Sequence, residues 1–268
     1  MRGSYPSPAG RTQRYGGNTS SVLVEVDGEA PLLLDLGTGI SSMAGNGVFA
    51  DGFRGHALVT HLHFDHVLGL PFFTPVNRPG ARLEVFGPYQ QDGSLGEAFH
   101  ALVRPPYFPI RLGELRGDIT FHELSAETFA LGALKVSSRV IPHVGTTLGY
   151  RIEADGKSLC YVSDHQAPAD QQSVAEAVLE LCDGADLLIH DAQYTDAEFL
   201  AKPDWGHSTV EYALLVAQRA SVRRLCLFHH DPSHSDDDID RMLERLRPSS
   251  EAAGVPVLAA AEGLAFTL

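Results

Sequence analysis

The chain has 268 residues, 44% apolar and 20% charged, enough for one large domain or two small ones with a substantial core. Its formal net charge of −14 argues against extended RNA or DNA binding, because affinity for nucleic acid rests largely on lysine and arginine. No stretch is long and apolar enough to span a membrane, and no signal-peptide core opens the chain, so a cytoplasmic protein is expected.

Strand-like runs come early, at 21–26 (SVLVEV) and 31–36 (PLLLDL), and the Asp-Gly of VDGEA between them is a hairpin signal. Further runs lie at 56–60 and 82–86, before a proline-rich loop, 104–109 (RPPYFP). Strands are expected again at 134–141, 147–153 and 158–163, the last two joined by EADGKS, a second Asp-Gly turn. Runs at 186–190, 223–228 and 256–259 alternate with helical periodicity at 170–182, 207–220 and 235–247. Ser173 offers an alternative cap for a shorter first helix, while Ser208 and Asp236 stand where the other two N-caps belong. A hairpin-rich first half and an alternating second half imply an α/β protein, one domain over 1–268, with two packed sheets and helices outside. Cys160, Cys182 and Cys226 are far apart in apolar runs and read as reduced core thiols.

Chemistry concentrates in ALVTHLHFDHVLGL, residues 57–70, where His61, His63, Asp65 and His66 crowd six positions after an apolar run. Imidazole and carboxylate are the groups that hold zinc, manganese and iron. A solvated polar turn is the plainer reading of this stretch alone. His143 follows the strand VSSRVIP, Asp164 ends SLCYVSD, and His229 ends RRLCLFH. Strand ends give side chains a rigid support, so recurrence of the same residue types there points to one metal site.

These motifs resemble the metallo-β-lactamase-fold hydrolases, and within them the phosphodiesterase branch that includes ribonuclease Z. THLHFDH matches the His-x-His-x-Asp-His signature of that superfamily, and LLLDLGTG resembles the strand and glycine turn before it. PHVGTTLGYRI, YVSDH, LLIHDAQY, WGHST and LFHHD resemble the later motifs in the same order, so the likeness runs from about residue 15 to 231. RGSYPSP followed by RYGGNTSSVLVEV is similar to a bacterial group in which a short strand precedes the RGS; here only Met1 does.

The resemblance implies the αββα four-layer sandwich, two mixed β-sheets flanked by helices. It implies two divalent ions, zinc or else manganese or iron, one on His61, His63 and His143 and the other on Asp65, His66 and His229, with Asp164 bridging. His230 competes with His229, and His165 with Asp164; the strand-end position favours His229 and Asp164. Two ions about 3.5–4 Å apart share a hydroxide that attacks phosphorus and polarise the phosphoryl oxygen. His207 in WGHST, paired with Asp191 in IHDAQY, is expected either to protonate the leaving alkoxide or to stabilise the charged transition state, and Asp65 joins them among the catalytic residues. Asp191 stands where relatives carry Glu, one methylene longer. His207 as a mere helix cap is the structural alternative.

Only 20 residues separate His143 from Asp164, leaving no room for the basic arm with which ribonuclease Z grips tRNA. A small phosphodiester, a cyclic nucleotide or short nucleotide ester, is the expected substrate. Hydrolysis of a carboxylic ester, thioester or lactone is the alternative activity, and a metal-stabilised binding domain the non-enzymatic one. Relatives of this kind are often homodimers. Asp35 is expected to brace the metal loop. Phe72, Phe73, Tyr107 and Phe108 are candidate apolar walls, Asn77 and Arg78 candidate phosphate contacts, and Asp236–Asp238 a charged first helical turn.

Overall fold

The computed structural model describes residues 1–45 and 49–268, which form two compact units, Ser20–Ser125 and Met1–Thr19 together with Ala126–Leu268. In Ser20–Ser125 the sheet order is β1 (Val22–Val24), β2 (Leu32–Leu34), β3 (Arg54–Leu58), β4 (Arg82–Pro88) and β5 (Asp118–Leu124). β1 and β2 are antiparallel, and β2 through β5 are parallel. One face is covered by α1 (Ile40–Gly45), α2 (Phe64–Val67) and α3 (Leu95–Leu102). Strand residues Leu33, Ala57, Leu83 and Val85 pack there with Ile40, Val67, Leu95 and Phe99. Every second residue of a strand points to that face, so short apolar strands suffice to build the core.

The other unit carries a seven-stranded sheet. β6 (Thr128–Leu131), β7 (Leu134–Val140), β8 (Leu148–Ala154) and β9 (Lys157–Val162) form an antiparallel meander. β9 then pairs in parallel with β10 (Leu187–Asp191), which continues to β11 (Leu225–Phe228) and β12 (Val257–Ala259). Parallel neighbours need crossovers, here α4 (Glu176–Cys182), α5 (Asp196–Ala201) with α6 (Val210–Arg219), and α7 (Asp236–Ala253). Val178 and Leu181 of α4, Val210 and Val216 of α6, and Met242 and Leu246 of α7 form one core with Val162, Leu188 and Leu227. The three cysteines are buried free thiols. The architecture is the expected one, two mixed sheets with flanking helices. Among the described residues no helix is long and apolar enough to cross a membrane.

The differences from the sequence reading have local causes. The first half is not hairpin-rich: β1–β2 is its one antiparallel pair among the described residues, and the meander lies at 128–162. β5, β6, α1, α2, α3 and α5 had no counterpart in the sequence reading. The helix expected from 170 starts at Glu176, because the Asp170 carboxylate accepts from the Gln172 and Ser173 amides (2.9 and 3.3 Å) and holds that stretch as a turn. α6 is capped by Thr209, whose hydroxyl accepts from the Tyr212 amide at 3.1 Å, and not by Ser208. α7 is capped by Ser235, not Asp236, and runs through Pro248 to Ala253. Asp236 instead accepts from the Arg14 and Tyr15 amides.

Ser235 and Asp238 form a reciprocal box: the serine hydroxyl accepts from the Asp238 amide (3.2 Å), and the carboxylate accepts from Ser235 N–H (2.8 Å) and O–H (2.6 Å). The Ser235 hydrogen bonds hold the Asp238 carboxyl down at about 2. A depressed carboxyl stabilises the fold above its unfolded value of 3.8, and that contribution fades as pH falls toward 2. Ser235→Ala should therefore cost about 1 kcal/mol in neutral denaturant titrations, a penalty that narrows in titrations repeated between pH 3.8 and 2.

Candidate metal centre and a buried His–Asp pair

In Ser20–Ser125 the histidine cluster is built on the ends of β2 and β3. Asp35 follows β2 with φ +59°, and its amide donates to Leu58 O at 2.9 Å. One carboxylate oxygen accepts from the Thr60 amide (2.7 Å) and hydroxyl (3.0 Å), and the other from His66 Nδ1 (2.7 Å). Leu36 N–H donates to His66 O at 2.7 Å, and Gly69 N–H to Leu36 O at 2.8 Å. A Cβ on Gly69 would fall 2.0 Å from Gly37 O, so glycine is needed for α2 to pack this close. The expected bracing role of Asp35 is thus visible as hydrogen bonds.

A carboxylate only accepts, so His66 carries a proton on Nδ1, and its Nε2 stands 3.2 Å from an Asp65 oxygen. His61 Nδ1 meets the Thr60 hydroxyl at 3.0 Å, and its Nε2 lies 2.8 Å from His63 Nδ1. His61, Asp65 and His66 are buried and His63 is exposed. Phe73 belongs to the core, edge-on to Phe49 and Phe53, and so is no pocket wall. Phe72 and Tyr107 are exposed, and Phe72 meets Phe108 edge-on with ring centroids 5.6 Å apart. Asn77 accepts from the Arg116 amide at 3.0 Å, which gives it a structural use.

In the other unit, Asp164, Asp191, His207 and His229 are all buried, with one ligand atom of each within 4.8 Å of the others. Asp164 faces His229 Nε2 with one oxygen (3.4 Å) and His143 Nε2 with the other (3.8 Å). His143 donates Nδ1–H to Gly206 O at 2.7 Å, and His229 donates Nδ1–H to Gln193 Oε1 at 2.8 Å. His66, His143 and His229 therefore all turn Nε2 toward a carboxylate, with the ring fixed in direction by an acceptor on the opposite nitrogen. That pattern of oriented imidazole nitrogens beside carboxylates fits a divalent cation.

Asp191 ends β10 and is fully buried. One oxygen accepts from the Gln193 and Ser208 amides at 3.1 Å each, and the other from His207 Nδ1 at 2.7 Å. His207 stacks on His229 (centroids 5.0 Å, 25°) and stands edge-on to Tyr194 (5.6 Å, 87°). It is not the cap of α6, which is Thr209. His190 gives Nδ1–H to Asp191 O (2.6 Å), so its Nε2 accepts Nδ1–H of His165 at 3.0 Å. Burial pushes both of these histidines below the usual range, His165 the further. His230 turns away, its Nε2 at 3.2 Å from Ala260 O.

Sequence reading missed Thr60, Gln193 and Gly206, which act by orienting histidines. Gln193 had a faint signal, lying two residues past Asp191 in HDAQY.

Residues 55–230 match the family described as beta-lactamase superfamily domain, a span that contains every histidine and carboxylate of both clusters except Asp35. The chain is 30% identical over 231 residues to an uncharacterized Mycobacterium tuberculosis protein, Rv1339, across 82% of this chain and 77% of that one. It is 28% identical over 294 residues to a ribonuclease Z of Haloferax volcanii, across 92% and 89% of the two chains. The crystal structure of the metallo-β-lactamase fold protein YhfI from Bacillus subtilis superposes with a TM-score of 0.72, covering 99% of this chain and 97% of that one at 19% identity. The chain belongs to the β-lactamase superfamily and is a hydrolase of the metallo-β-lactamase fold.

Proposed function

We propose that residues 1–268 act as one domain, a dinuclear metal phosphodiesterase of small phosphodiesters such as a cyclic nucleotide or a short nucleotide ester. The observation that carries this reading is the His207–Asp191 pair at 2.7 Å, stacked against His229. His61, His63 and His143 would hold one ion, Asp65, His66 and His229 the other, with Asp164 shared. The separate approach of His143 and His229 to the two Asp164 oxygens supports the bridging role. Zinc, manganese or iron bound there would supply Lewis acidity and an acidified water.

The chain's own part is proton handling. Asp191 keeps the Nδ1 proton of His207, so Nε2 is the nitrogen left to protonate a departing alkoxide, and the buried carboxylate stabilises the doubly protonated ring. A thioester expels a thiolate and has less need of such a donor, whereas an ester or lactone expels an alkoxide and is separated from the phosphodiester by direct assay. The β8–β9 hairpin occupies the stretch between His143 and Asp164, which supports a small substrate over folded RNA. The net charge of −14 points the same way.

Elemental analysis of metal-replete protein should return two divalent ions per chain, and Asp164→Ala should lower both together with most of the activity. A wild-type stoichiometry of one, or an Asp164→Ala protein that keeps two tightly held ions, would sink the dinuclear assignment.

For His207→Ala, the metals should stay bound and the loss should track the leaving group. Activity on bis(p-nitrophenyl) phosphate should survive in part, while a nucleotide diester with an alkoxide leaving group should lose about 10²–10⁴-fold. Equal losses on both would indicate charge stabilisation without proton transfer. Turnover of p-nitrophenyl acetate above that of the phosphodiester would favour the ester-hydrolase alternative.

A further inference from the structure

The first residues of the chain touch His229 in a way that the proposed reaction does not use. His230 N–H donates to Met1 O at 3.1 Å, and Gly3 N–H donates to His230 O at 3.0 Å, a parallel bridge just past the end of β11. Arg2, between them, is wholly buried. Its Nε donates to Gly16 O at 2.8 Å, and one terminal nitrogen donates to His234 O at 2.8 Å and Asp231 O at 3.4 Å. The other terminal nitrogen lies 3.7 Å from the Asp236 carboxylate. Three carbonyls and a carboxylate in fixed places leave this segment no freedom to slide along the residues that follow His229.

Gly3 then lies against the imidazole itself. A Cβ at position 3 would fall 2.4 Å from His229 Nδ1 and Cε1, and 2.7 Å from Gln193 Oε1. Those atoms belong to the edge that carries the hydrogen bond from His229 Nδ1 to Gln193. His229 has φ +59°, a region that a residue with a Cβ keeps only when its surroundings hold it there. Gly3 is not itself left-handed, so close approach, not backbone freedom, is what demands a glycine here.

We propose that Gly3, anchored through Arg2, is a positioning residue for His229. Having only hydrogen on its α-carbon, it closes over the Nδ1 edge, holds the ring against Gln193, and so fixes the direction of Nε2. This rests on the reading of His229 as a metal ligand, and the experiment separates the two.

The test is zinc binding by the full chain, measured by competition with a chelator, alongside unfolding of the metal-free protein. Gly3→Ala should weaken one of two zinc ions about 10–100-fold, the range typical when a group orienting a ligand is disturbed, and leave the other unchanged. Gly10→Ala makes the same chemical change where a Cβ meets nothing within 4 Å, and should bind both ions as wild type does. In a His229→Ala background the imidazole clash is gone and the remaining close atom, Gln193 Oε1 at 2.7 Å, is the end of a flexible side chain with space to shift, so adding Gly3→Ala should alter neither the remaining zinc affinity nor the unfolding midpoint. A general structural defect would persist in that background. If His229→Ala loses one zinc but Gly3→Ala alone binds both at wild-type affinity, the positioning role is overturned while the ligand reading stands. If His229→Ala keeps both ions, the ligand reading falls and the inference with it. Should Gly3→Ala fold poorly, the double variant decides: an unfolding midpoint equal to that of His229→Ala supports the role, and a further loss overturns it.

Discussion

Parallel strand pairing is the constraint on which both clusters depend. In the larger sheet, His190 of β10 stands beside Val162 of β9, and Asp191 stands beside Phe228 of β11. The residues that leave these strands are Asp164, Asp191 and His229, and parallel direction alone delivers them to one edge. Carboxyl ends of parallel strands are where α/β sheets bind ligands, because successive chains turn away there and leave a crevice. The smaller sheet repeats the arrangement, with Leu34 of β2 beside Leu58 of β3. Asp35 and Thr60 emerge side by side, close enough to bond at 2.7 Å. The cost shows in the backbone, since Asp35 and His229 both sit at φ +59°. Each has hydrogen bonds on its side chain that hold it in that turn.

Buried carboxylates are the second requirement, and they are met by donors close at hand. Asp35 and Asp191 are both wholly buried, where an isolated charge would be prohibitive. Asp35 takes an amide, a hydroxyl and an imidazole; Asp191 takes two amides and an imidazole. Satisfying the charge also fixes the histidine, because a carboxylate can accept only from a protonated ring nitrogen. Solvation of the acid and choice of imidazole tautomer are therefore one interaction. It explains why each cluster contains a carboxylate that faces a histidine's Nδ1.

How much was legible follows from the same physics. Central parallel strands are buried on both faces and read as unbroken apolar runs, so β2, β10 and β11 stood out. β5 (DITFHEL) lies at a sheet edge with mostly exposed residues, and α1 and α2 are too short for helical periodicity to accumulate. The Asp-Gly signal located two hairpins correctly, at Gly28 and at Asp155–Gly156, and was overextended to the whole first half. Histidines and aspartates at strand ends announced themselves by residue type. Thr60, Gln193 and Gly3 did not, because their work is done by a hydrogen bond or by the absence of a side chain. Gly3 and His229 lie at opposite ends of the sequence, and no local pattern joins them.

Asp191 reaches His207 at 2.7 Å although it is one methylene shorter than the acid expected there. On sequence grounds the loss of a methylene shortened its reach toward His207. The structure brings the histidine in instead. Tyr194 N–H donates to Ser208 O (3.1 Å) and Val210 N–H to Tyr194 O (3.2 Å), which lays the loop before α6 along the continuation of β10. Ser208 adds its amide to Asp191 and its hydroxyl to His165 O at 2.5 Å. Gly206, at φ +94°, accepts from His143 and donates to Gln166 Oε1 at 2.6 Å. A Cβ there would fall 2.5 Å from His143 Cε1, so the loop also needs a glycine for close approach. The loop that presents His207 to Asp191 is thus the one that orients His143. Asp191 is wholly buried with its oxygens 2.7–3.1 Å from the Gln193, Ser208 and His207 donors, so the length of the side chain and the path of the loop are a matched pair.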